Sequence, residues 1–139
     1  MSAMSDFRRV TDHFSTSPQI SLADVAEAKR QGFTTVINNR PDGEVPGQPT
    51  SLEIAQAARD AGLEYFHIPV VGMPGQTQVE QMREAVLAAE GPVLGFCRSG
   101  TRTINTWALG EAMDRARPVD ELVQLGRAAG YDLAGVLGA

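Results

Sequence analysis

Apolar positions along this chain recur at two different periods. "FTTVINN" (33–39) is short and β-branched, and "LEYFHIPV" (63–70) and "PVLGF" (92–96) are compact apolar runs, so each predicts a strand. The segments between them carry helical spacing. "SLADVAEAKRQG" (21–32) has Ser21 in a capping position, apolar Leu22, Val25 and Ala26, and Gly32 as a stop. "TSLEIAQAARDAG" (50–62) opens on Thr50 with Glu53 three residues later, a capping box, and closes at Gly62. "TQVEQMREAVLAAEG" (77–91) repeats the device with Thr77 and Glu80. Residues 103–115 and, after Pro118, 119–130 read as two further helices. Trp107, Leu109 and Met113 follow helical spacing and are expected in the core.

Strands separated by helices predict an α/β fold with a mostly parallel central sheet flanked by helices, in one domain spanning residues 1–139. "FRRVTDHF" (7–14) adds an edge strand or hairpin. In such sheets ligands sit beyond the carboxyl ends of the strands. Cys97 falls at that end of the last strand.

Composition narrows the classes. At 139 residues the chain suits a single core, and 42% apolar with 21% charged residues argues against disorder. No apolar run approaches the roughly 18 residues of a spanning helix. "MSAMSDFRRVTDHF" lacks the basic start and apolar centre of a secretory leader, so a cytoplasmic location and no membrane partner are expected. A net charge of -5 argues against nucleic acid. One cysteine excludes an internal disulfide, and two scattered histidines give no metal-ligand spacing, so neither metal nor cofactor is expected.

The informative stretch is "CRSGTR" (97–102). A turn that runs straight into a helix leaves backbone N–H groups unpaired, and the helix dipole adds positive potential there. Gly100 lets the turn curl; Arg98 and Arg102 add charge; Ser99, Thr101 and Thr103 can contribute hydroxyls. The expected result is an anion cradle with a thiol at its floor, where the field favours thiolate. A nucleophile below an oxyanion site is an arrangement for covalent catalysis; the bland alternative is a buried structural cysteine at a strand end. Arg40 and Asp42, in "NNRPDGE" past another strand end, could support the loop or bind substrate, or could belong to a solvated Pro-Asp-Gly turn. Asn38 and Asn39 could brace that turn. His67 reads as a structural histidine, and "VVGMPGQ" (70–76) as an ordinary loop with the makings of a lid.

The strand–Cys–loop–Arg–helix unit resembles those of protein tyrosine phosphatases and rhodanese sulfurtransferases. Through "VINNRPDGEVPGQPTS" (36–51), "YFHIPV" (65–70), "CRSGTRT" (97–103) and "GYDL" (130–133), the chain is similar, over roughly residues 7–133, to the beta-lactamase hydrolase-like protein, phosphatase-like domain family (DUF442). The resemblance implies a dual-specificity-phosphatase-like fold. It also implies, as a partner in trans, a persulfide-oxidising metallo-beta-lactamase-like enzyme, because relatives carry such a domain.

Two departures from the phosphatase pattern stand out. Its arginine comes six residues after the cysteine, whereas Arg102 comes five after Cys97; and the loop expected to carry the general acid, "VVGMPGQTQ" (70–78), holds no carboxylate. Short C-R-S-G-x-R loops are typical of single-domain rhodaneses, whose chemistry needs no such acid. Both departures favour a sulfurtransferase that forms a Cys97 persulfide from thiosulfate or a persulfide, with Arg102 holding the anion. The alternative is a phosphatase working through a Cys97 phosphocysteine on a phosphate ester, and a third reading is a non-catalytic anion-binding module.

Overall fold

The computed structural model describes residues 5–139; residues 1–4, part of the segment read for a leader, lie outside the described residues. In chain order the elements are β1 (Arg8–Arg9), β2 (Phe14–Ser17), α1 (Leu22–Arg30), β3 (Thr35–Asn38), α2 (Ser51–Ala61), β4 (Glu64–His67), α3 (Gln76–Ala88), β5 (Val93–Phe96), α4 (Thr101–Met113), α5 (Val119–Ala128) and α6 (Ala134–Leu137). One five-stranded sheet has the order β1-β2-β5-β3-β4. Its last four strands are parallel, and β1 pairs antiparallel with β2 as a short hairpin. The expected α/β architecture is therefore present. No helix among the described residues is long and apolar enough to cross a membrane.

Side chains on the central strands alternate between two buried faces, as a sheet covered on both sides requires. On β3, Val36 packs with Val25, Ile54 and Ala58 from α1 and α2, while Ile37 packs with Met82, Val86, Ile104 and Trp107 from α3 and α4. On β5, Val93 joins the second group and Phe96 the first. Phe14 on β2 stacks on Trp107 with ring centroids 4.9 Å apart.

Local signals account for the helix starts. Ser21 and Thr50 cap α1 and α2 as expected, each in a reciprocal box, with Asp24 and Glu53. The Thr77–Glu80 box does not form. The helix begins earlier, capped by Gly75, whose N–H donates to Gln78 Oε1 (2.9 Å), and Thr77 lies inside the first turn. Helix α4 starts at Thr101 rather than 103, so the anion turn is shorter than its sequence suggests. Met113 is exposed, because it ends α4 past the core. β2 includes "STS" (15–17), which extends beyond the segment expected to pair; all three side chains are buried although they are polar, so their pattern carries no apolar alternation.

The close approach of α4 to the sheet depends on Gly95. A Cβ there would lie 2.5 Å from Thr103 Cγ2, with Phe14 and Met82 also in contact. Gly95→Ala is expected to lower the unfolding free energy by about 1–3 kcal/mol through overpacking, measured by denaturant titration. Gly135→Ala, where nothing lies within 4 Å of the added Cβ, should leave it unchanged or slightly raised.

Candidate active site

Cys97 is the first residue after β5 and is fully buried; its N–H donates to Ser17 O on β2 (3.3 Å). The chain then turns through Arg98 and Ser99 to Gly100, which caps α4 with φ of +92°. Glycine is required there twice over, since a Cβ would also lie 2.2 Å from the Tyr131 hydroxyl. Gly100 N–H points back to Cys97 Sγ at 3.1 Å. The amides of Arg98, Ser99, Arg102 and Thr103 have no acceptor among the described residues, the expected state of a turn feeding a helix N-terminus.

Arg102, on the first turn of α4, donates through Nη1 and Nη2 to the two Glu44 oxygens, both at 2.8 Å, and through Nη1 to Val70 O at 2.9 Å. Glu44 also accepts from Arg40 Nε (2.8 Å), and Arg40 Nη1 donates to Gln19 Oε1 (3.0 Å). Arg40 is buried, and its Nη2 has no partner among the described residues. One carboxylate therefore answers two guanidinium groups, leaving an excess positive charge beside the turn. The hydrogen bonds from Arg102 hold Glu44 down to about 2; burial opposes this and Arg40 assists it. Glu44 in turn raises Arg102 further, with Cys97 acting in the same direction.

Among the residues expected at the site, Cys97, Gly100 and Arg102 converge. Thr103 is buried on the first turn of α4, its hydroxyl without a partner among the described residues. Arg98, Ser99 and Thr101 are exposed on the turn, Ser99 Oγ donating to Thr101 Oγ1 (2.9 Å). Asn39 ties three segments together: its N–H donates to Phe96 O (2.8 Å) and its Nδ2 to Ile68 O (2.9 Å), while Oδ1 has no partner among the described residues. Asn38 braces the neighbouring turn, accepting the Arg40 N–H (2.9 Å). His67 has a structural contact, Nε2 to Arg40 O at 2.9 Å. Asp42 is directed elsewhere. Its carboxylate accepts the Ser51 N–H at the start of α2 (2.7 Å), and no contact brings it to the cysteine turn.

Two contributors were missed by sequence reasoning, Glu44 and Gln19. Only Glu44 carried a local signal, a carboxylate four residues after Arg40 in a turn.

Because Glu44 ionises at a lower pH folded than at its ordinary value of 4.5, its contribution to stability is present above about 4.5 and is lost as pH falls toward about 2. The stability difference between the native protein and Glu44→Gln should therefore be constant from neutral pH down to about 4.5 and shrink below it. Chemical denaturation at a series of pH values measures this; a difference independent of pH down to 2 would refute the ion pair.

The geometry can be set beside known proteins. The family described as beta-lactamase hydrolase-like protein, phosphatase-like domain, matches residues 6–114. The beta-lactamase hydrolase-like protein of Agrobacterium fabrum is 36% identical over 126 residues, which is 90% of this chain. The chain spans only 29% of that relative's length, and the same share of its Xylella fastidiosa counterpart at 37% identity. Among solved structures, a candidate phosphatase from Neisseria meningitidis superposes with a TM-score of 0.82 at 35% identity, over 95% of this chain and 94% of that one. The active form of Tk-PTP shares the fold, with a TM-score of 0.73 at 18% identity over 96% and 94% of the two chains. With the family matched across most of its length and a relative above one-third identity over nine-tenths of it, this chain belongs to the beta-lactamase hydrolase-like protein, phosphatase-like domain family.

Proposed function

We propose that this protein is a cysteine-dependent phosphomonoester hydrolase. The observation that carries the reading is a buried thiol that accepts the Gly100 N–H beneath a strand-to-helix turn, with Arg102 on the helix's first turn. The descriptions of the family and of the Neisseria relative support it over the sulfur transfer favoured on sequence, for which these relatives offer no support.

In this mechanism the Cys97 thiolate attacks phosphorus and forms an S–P bond. The ester P–O bond breaks, and the leaving oxygen departs with its electron pair. Water then attacks phosphorus, the S–P bond breaks, and inorganic phosphate and the thiolate are released. Free N–H groups of the turn and Arg102 hold the phosphoryl oxygens, which requires Arg102 to share or exchange its contact with Glu44. No neighbouring carboxyl is suited to protonate the leaving oxygen. Glu44 is ionised at neutral pH, Asp42 accepts the Ser51 N–H at the start of α2, and the loop 70–78 holds no carboxylate. The substrate class that fits is an aryl phosphate whose phenol leaves as a stable anion. The missing acid and the short spacing from Cys97 to Arg102 are the two observations that favour sulfur transfer, so the test includes it.

Turnover of p-nitrophenyl phosphate should exceed that of phenyl phosphate by about a hundredfold or more, the scale of an absent proton donor. Cys97→Ser should abolish it, and Arg102→Lys should reduce it by about 10²- to 10³-fold. Steady-state phosphate release, with intact mass of the protein after exposure to thiosulfate alongside, is the measurement. A Cys97-dependent gain of one sulfur without phosphate release would install the sulfurtransferase. Silence with both reagents would leave an anion-binding module.

A further inference from the structure

The backbone carbonyls of the cysteine turn are held from outside it. Arg98 O accepts the Gln19 N–H (3.2 Å), Ser99 O accepts the Tyr131 hydroxyl (2.7 Å), and Gly100 O accepts the Thr16 hydroxyl (2.9 Å). A trans peptide aims its C=O and its N–H in opposite directions, so holding a carbonyl outward aims the next N–H inward. For the peptide joining Ser99 to Gly100 both ends are engaged. Its oxygen accepts from Tyr131 and its N–H donates to Cys97 Sγ at 3.1 Å.

We infer that Tyr131 is a positioning residue that orients and polarises this one peptide, so that the Gly100 N–H stabilises the Cys97 thiolate. Hydrogen bonds in series polarise one another, and the effect is larger away from water, where Cys97 lies. Tyr131 is built to remain a donor. Burial raises its hydroxyl above the ordinary phenol value; Arg8 pulls it back, while Cys97 and Asp6 push it up again. Its ring is largely buried, with the Arg8 guanidinium 5.1 Å from the centroid. Arg8 reaches it from the N-terminal hairpin, and the hydroxyl comes from the segment between α5 and α6, beyond the residues matched to the family. Arg102 and Tyr131 are both coupled electrostatically to Cys97.

The inference rests on Cys97 being the nucleophile, yet its test needs no substrate. The rate of Cys97 alkylation by iodoacetamide is followed against pH in the native protein, Tyr131→Phe and Thr16→Val. Tyr131→Phe should move the midpoint upward by about half to one unit, the scale of one hydrogen bond. Thr16→Val removes an equivalent brace from the next carbonyl, whose peptide N–H, that of Thr101, faces Ser99 Oγ rather than sulfur, so it should leave the midpoint in place. An unmoved midpoint in Tyr131→Phe, or equal movement in both variants, would overturn the inference. Should Tyr131→Phe fail to fold, 3-fluorotyrosine incorporated at 131, a stronger donor of nearly the same shape, should move the midpoint downward; no movement, or movement upward, would be equally fatal. Failure of the native protein to release phosphate would overturn the phosphatase reading alone.

Discussion

The contact between α4 and β5 underlies the rest of the site. Because residue 95 has no side chain, the first turn of α4 lies directly on the strand, with Thr103 in the space a Cβ would fill. That approach leaves room for only three residues, Arg98 to Gly100, between the thiol and the helix. A turn so short has few ways to satisfy its own polar groups. Its carbonyls turn outward to Gln19, Tyr131 and Thr16, and amides are left for an anion.

Electrostatics completes the arrangement from the other side. Arg40 reaches in from the end of β3, and Glu44 from the same connection joins it to Arg102. A buried guanidinium is tolerated only when partnered, and here the partners are Glu44 and Gln19, each linked in turn to the cysteine turn or its helix. The charge that supports the buried Arg40 is thus also the charge that orients the partly buried Arg102. On the proposed reading, this arrangement would attract an anion without offering it a proton.

Much of the architecture was legible locally. The period of apolar residues marked β3, β4, β5 and the major helices, and Ser21 and Thr50 announced α1 and α2 because a cap is chemistry within four residues. The same rule misplaced the start of α3, where Gly75 with Gln78 prevailed over Thr77 with Glu80: the backbone after Pro74 already runs into the helix. β2 was only half visible, since Ser15, Thr16 and Ser17 are buried by their neighbours rather than by their own hydrophobicity.

The sequence by itself determined the α/β order, the cysteine at a strand's carboxyl end and the glycine-arginine turn behind it, because each depends on residues adjacent in the chain. The tertiary structure alone decided what surrounds that turn. Thr16 and Tyr131 lie 84 and 32 residues from the carbonyls they hold, and Glu44 lies 58 from Arg102. It also withdrew Asp42 from the site by assigning its carboxylate to α2. Such partners are chosen by where the sheet order β2-β5-β3 brings three separate connections together, and that order is set by the packing of whole faces, which no short window of sequence contains.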